Sequence, residues 1–148
     1  MLDGERLRLM QYHFHTPSEN RIQGRAFPLE AHFVHQNGAS ELAVAAMMFE
    51  PGAENPTLQP ILAALPHEEN HPVTLGRQID LIPLFPQDRH YYRFSGSLTT
   101  PPCTQGLRWL VMKQPVQLSP TQLARFRRAL ASANNRPLQP LHGRLIVE

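Results

Sequence analysis

Cysteine occurs once in this chain, at position 103, and lysine once, at position 113. A single thiol excludes an internal disulfide, and on its own it fits a reduced, cytoplasmic protein. It also argues against a thiolate-rich structural metal site. No apolar run approaches the ~18 residues a membrane crossing needs. The opening "MLDGERLRLM" lacks the apolar core of a secretory signal. The formal charge of +2 contains no basic block, so neither a nucleic acid nor a membrane surface is indicated as partner. The densest cluster, "RFRRAL" (125–130), reads as a solvated helix end. Repeats, linkers and low-complexity tracts are all missing.

What remains is an ordinary globular composition, 41% apolar and 18% charged over 148 residues, enough for one domain with a core. Fifteen prolines are spread along the chain, which disfavours long helices and favours short strands joined by turns. Residues 5–15 alternate as a strand, with Leu7, Leu9, Gln11, His13 and His15 on one face and Arg8, Met10, Tyr12 and Phe14 on the other. "PLEAHFVHQN" (28–37) reads as a second strand, Glu30, His32 and Val34 opposing Ala31, Phe33 and His35. "ELAVAAMMFEPG" (41–52) is almost wholly apolar and therefore central, ending at Pro51-Gly52. "NPTLQPILAALP" (55–66) offers a short helix burying Leu58, Ile61, Leu62 and Leu65. "TLGRQIDLIPLFP" (74–86) suggests strand pieces, and "GLRWLVMKQP" (106–115) another buried strand. "LSPTQLARFRRALAS" (118–132) is the best helix: Ser119 caps it, Pro120 opens it and Gln122 completes a capping box. The expectation is a mainly β domain with short peripheral helices.

His13 and His15 share a strand face, and a neighbouring strand can bring His32 onto it. Three imidazoles and one open position are the donor set of a catalytic zinc. Gln11 and Glu30 each precede a histidine by two and so lie on the same face. There they can accept the second ring N–H, as metal-bound histidines require. Spacing leaves open whether Glu30 or Glu19 is instead a fourth ligand, or whether the site is structural.

"SENRIQGRAFPLEAHFV" (18–34), "FSGSLTTPPC" (94–103) and "NRPLQPLHGR" (135–144) together resemble three segments, in order, of the α-class carbonic anhydrases. The resemblance runs from Gln11 to Arg144. It implies one domain over 1–148 built on a central twisted mixed β-sheet, with Zn2+ held by His13, His15 and His32. It assigns Gln11 as acceptor for His13, Glu30 for His32, and the main-chain carbonyl of Asn134 for His15. Thr99 is similar to the family's gatekeeper hydroxyl and Glu19 to the carboxylate that orients it. Val34, Val44, Leu98, Leu107 and Trp109 resemble the apolar wall that seats carbon dioxide. The Thr99 N–H would receive a substrate oxygen, and Thr100 would shape bicarbonate binding. His35, His67, His71, His90 and His142 match no ligand position.

The implied reaction is reversible hydration of CO2 to bicarbonate and a proton by zinc-bound hydroxide. Zinc lowers the pKa of its water from ~15.7 to about 7, and carbonic anhydrases are themselves the reference case for that shift. A zinc-dependent esterase uses the same chemistry, and a non-catalytic binding module is the third expectation. The family pattern has an N-terminal segment ahead of the first histidine strand, so this chain reads as N-terminally truncated. Lost strands would leave apolar faces and edges exposed. The chain is then expected to fold poorly or to self-associate, as a homodimer, to cover them. In bacterial-type relatives a cysteine following "LTTPP" pairs with one in that segment. By this likeness Cys103 implies a periplasmic or secreted protein, whereas a complete chain would be cytoplasmic.

Overall fold

The computed structural model describes residues 1–65 and 78–148. His67 and His71 fall outside them, as do residues 74–77 of the expected strand pieces. Six strands form one mixed sheet: β1 (Arg8–His15), β2 (Leu29–Gln36), β3 (Leu42–Pro51), β4 (Tyr91–Ser97), β5 (Gln105–Met112) and β6 (Val116–Leu118). The order is β1-β2-β3-β5-β4, with β6 also pairing β3. The β1/β2, β2/β3 and β4/β5 pairs are antiparallel, whereas β3 runs parallel to β5 and β6. The apolar "LAVAAMMF" run thus sits in mid-sheet, where both faces of a strand are covered.

The larger core lies on one face. Phe14, Ala31, Phe33, Met47 and Phe49 point into it from the sheet. It is closed by Leu58, by Ile61 and Leu62 of α1 (Gln59–Ala63), and by Leu123 and Phe126 of α2 (Pro120–Ala129). α2 begins where its sequence dictates. The Ser119 hydroxyl accepts from the Gln122 N–H, and the Gln122 side chain accepts from the Ser119 N–H. Burying Leu123 and Phe126 contributes about 1.5–3 kcal/mol each. Phe126 packs 4.5 Å from Phe14, ring centre to ring centre, so the helix presses on the reverse side of the first histidine strand.

Three expectations need correction. The first strand starts at Arg8, not at residue 5, and a β-bulge between Leu9 and Gln11 breaks its alternation. Arg8 pairs with Gln36 and Leu9 with His35, so Leu9 lies on the face opposite the histidines. One extra residue in a strand inverts the parity of everything before it. Residues 78–86 hold no strand but a 3-10 turn at Ile82–Leu84, because Pro83 removes a ladder donor. Residues 56–63 divide into a 3-10 turn (Pro56–Leu58) and the short α1.

Candidate metal centre

The second face of the sheet carries the site. Rows across the strands read Gln11, Val34, Val44, Trp109, Phe94 and then His13, His32, Ala46, Val111, Tyr92. His13 and His32 are direct cross-strand partners, and His15 follows two residues later on the same face. Their ring centres are 5.0 Å (His13–His15), 5.2 Å (His13–His32) and 4.6 Å (His15–His32) apart. One nitrogen from each ring lies within 4.8 Å of the other two, and no carboxylate joins that cluster among the described residues.

The remaining nitrogens are engaged unequally. His15 Nδ1 lies 3.1 Å from the Asn134 carbonyl, leaving Nε2 buried without a partner. His32 Nε2 lies 2.9 Å from Glu30 Oε1, while its Nδ1 is 4.0 Å from Glu19 Oε2, beyond hydrogen-bond reach. His13 Nδ1 is buried with no partner. Gln11 shares its face but is exposed, and no hydrogen bond joins the two. Burial, with His32 and His15 nearby, lowers the His13 pKa to about 4. Burial and His32 likewise lower that of His15. Both therefore stay neutral at pH 7, the form that ligates metal. Orphaned buried nitrogens cost about 1–3 kcal/mol each. Three converging imidazoles, two of them held neutral and each with a buried unpartnered nitrogen, fit a zinc ion.

Glu30 is fully buried and accepts four hydrogen bonds: from Glu19 N (2.7 Å), Asn20 N (2.9 Å), Asn20 Nδ2 (2.6 Å) and His32 Nε2. Burial pushes its carboxyl up, but the His32 and Asn20 contacts outweigh that and hold it below the usual carboxylate range. With both oxygens occupied, it braces His32 and has none left for a metal. Glu19 Oε1 accepts from Arg136 N at 2.7 Å, and its Oε2 is buried and unpartnered.

Glu19, Thr99 and Trp109 line one cavity of about 400 Å³, together with Tyr92, Phe94 and Arg136. Thr99 and Glu19 make no hydrogen bond with each other. Trp109 stands edge-on to His32, ring centres 4.9 Å apart, and its indole N–H donates to Ser97 O at 3.1 Å. Val34, Val44 and Leu107 are buried beside Trp109, and Leu98 packs half-buried against them. They form the floor next to the histidines rather than the cavity lining. Thr100 is exposed. His90 and His142 are exposed, and His35 is half-buried with Nδ1 2.9 Å from Phe33 O on the opposite face.

Three contributors carry no signal in strand periodicity. Asn20 supplies two of the four bonds to Glu30, and Arg136 holds Glu19 through its backbone N–H. Ser18 knits the intervening loop, accepting from Phe27 N at 2.9 Å and donating to Asn20 O at 2.8 Å. Each acts from a loop, where only contact in space reveals the role.

One face of a mixed sheet thus presents three convergent imidazoles that could hold a metal ion. The family model for eukaryotic-type carbonic anhydrase matches residues 1–148, and the chain belongs to that family. It is 47% identical over 147 residues to a carbonic anhydrase of Klebsiella pneumoniae, covering 99% of this chain and 60% of that protein. Among solved structures it resembles the α-carbonic anhydrase of Thermovibrio ammonificans in complex with sulfanilamide. That likeness has a TM-score of 0.96 at 45% identity, over 99% of this chain and 65% of the other. It also resembles the Photobacterium profundum α-carbonic anhydrase, with a TM-score of 0.94 at 48% identity, over 100% of this chain and 68% of the other. The chain thus spans about 60% of the length of the first curated relatives it matches. No helix among the described residues is long and apolar enough to cross a membrane.

Proposed function

We propose that residues 1–148 form one carbonic anhydrase domain, a zinc lyase that hydrates CO2 reversibly to bicarbonate and a proton. The observation that carries this is the cluster of His13, His15 and His32, with His15 and His32 each engaged at the second ring nitrogen. When bound there, zinc supplies a water acidified to a pKa of about 7, as it does throughout this enzyme class.

The chain's own residues do the rest. Glu30 keeps the proton of His32 on Nε2, so that Nδ1 stays bare toward the centre, and the Asn134 carbonyl does the converse for His15. Val34, Val44, Leu98, Leu107 and Trp109 give a small linear substrate an apolar seat beside the rings, which suits a molecule without charge. The Thr99 hydroxyl is assigned to donate to the free Oε2 of Glu19, leaving its oxygen to accept the proton of the reacting water. Its N–H then meets a substrate oxygen, and Thr100 borders departing bicarbonate. A periplasmic location, implied by likeness to exported bacterial relatives, belongs to the same reading.

Stopped-flow CO2 hydration with and without a chelator tests the reading. Hydration that disappears with the metal and returns on zinc addition is the expected result. Ester cleavage without hydration would replace it with a zinc esterase. Failure to take up zinc would leave a binding module.

A further inference from the structure

Asn134 enters the reading above through its main-chain carbonyl alone, yet its side chain is also committed. Oδ1 accepts from the Thr16 N–H at 2.9 Å, and Nδ2 donates to the Phe14 carbonyl at 2.9 Å. Its own N–H donates to the Thr16 carbonyl at 3.3 Å. With His15 Nδ1 on its carbonyl, one residue makes four bonds to positions 14–16. Among the described residues β1 is an edge of the sheet, and no strand there meets the outward backbone groups of Phe14 and Thr16. A side-chain amide offers a donor and an acceptor on one planar group, as a peptide does. Asn134 therefore stands where the next strand would, straddling the residue whose ring it also contacts.

We propose that the side-chain amide of Asn134 is a positioning residue for the metal centre. By clamping Phe14 and Thr16 it keeps its own carbonyl in register with His15 Nδ1, and so fixes the tautomer and tilt that leave Nε2 bare. This rests on the zinc reading. The carbonyl belongs to a segment after α2 without helix or strand, so no ladder holds it in place. Asn134 itself is exposed. When its side chain is cut back, water can reach Phe14 O and Thr16 N, and the fold is retained while the register is lost.

The test compares Asn134→Ala, Asn134→Asp and Ser119→Ala, all of which keep the residue-134 carbonyl. Three measurements apply: zinc affinity by chelator competition, His15 ring 15N shifts in the metal-free chain, and exchange of the Thr16 amide. Asn134→Ala is expected to weaken zinc binding about 10–100-fold, to mix the His15 tautomers and to speed Thr16 exchange. Asn134→Asp keeps the bond to Thr16 N but sets a carboxylate oxygen against Phe14 O, so it should fall in between. Ser119→Ala loosens only the first turn of α2, on the sheet face opposite the histidines, and should bind zinc as the parent does. Parental zinc affinity and His15 shifts in Asn134→Ala overturn the proposal, as does an equal zinc loss in Ser119→Ala. Should Asn134→Ala fail to fold, Asn134→Asp decides by the same three measurements. If the parent takes up no zinc, the functional reading fails instead, and the ring tautomer and Thr16 exchange still decide whether the clamp acts on His15.

Discussion

Glu30 offers the sharpest perturbation of the site, because two substitutions separate its structural and chemical duties. Its carboxylate is fully buried and takes four donors, three from the 19–20 loop and one from His32. Glu30→Ala orphans all four. Each buried orphan costs about 1–3 kcal/mol, but they surround one void that a water can enter, so the sum is less than fourfold. A loss of about 4 kcal/mol is expected, a large share of the ~5–15 kcal/mol a domain commands. Glu30→Gln keeps the shape and one acceptor oxygen, so its stability cost should be about 1–3 kcal/mol. Its NH2 group must still face donors. The Asn20 amide can rotate to offer its oxygen, and His32 can accept at Nε2 only by moving its proton to Nδ1. That is the nitrogen facing the centre, so zinc affinity should fall about 10–100-fold in a folded protein. Urea unfolding followed by circular dichroism, and chelator competition, measure the two effects. A folded Glu30→Gln that binds zinc as tightly as the parent would refute the tautomer argument. An unshifted midpoint in Glu30→Ala would refute the burial argument.

His32→Ala should abolish zinc retention, while Thr99→Ala keeps the metal and loses most turnover; equal zinc loss in both, by metal analysis, would contradict the assigned roles. Gln122 is buried and bonds the Ser119 N–H and both backbone groups of Asn55. Gln122→Ala should therefore cost about 2–4 kcal/mol in urea unfolding, and an effect under about 1 kcal/mol, the scale of a helix cap alone, would disprove the bridge. In the metal-free chain His13 titrates near 4 when folded and near 6.5 when unfolded. The unfolded chain binds the extra proton between those values, so stability should rise with pH from about 4 to 6.5. A flat profile there, by thermal melts, would show that His13 is not shifted.

Much of the site could be read from period-2 patterning alone. Gln11, His13 and His15 do share a face with Glu30, His32 and Val34, because the pairing from Gln11 onward is unbroken. The same rule failed before Met10, since a bulge leaves no mark in hydropathy. β4 escaped notice because "YYRFSGS" contains Gly96, which reads as a breaker. In the fold that glycine is required, since a Cβ there would lie 2.7 Å from Trp109 Cδ1. The parallel β3/β5 pairing joins segments some sixty residues apart, which no local pattern can announce. Asn134 could be named only through family likeness, being a coil residue whose worth lies in what it touches.

The extra residue near Met10 also carries a wider consequence. Leu7 and Leu9 have odd numbers like His13 and His15, and a regular strand would have set greasy side chains beside the imidazoles. With the insertion, Leu9 turns to the His35 side, Leu7 lines a hollow there with His35 and Phe85, and Arg8 takes the histidine side. One numerical parity thus serves two environments, and pairing Met10 regularly in the ladder, without the bulge, would swap a charge for a hydrocarbon at the rim without touching a single ligand.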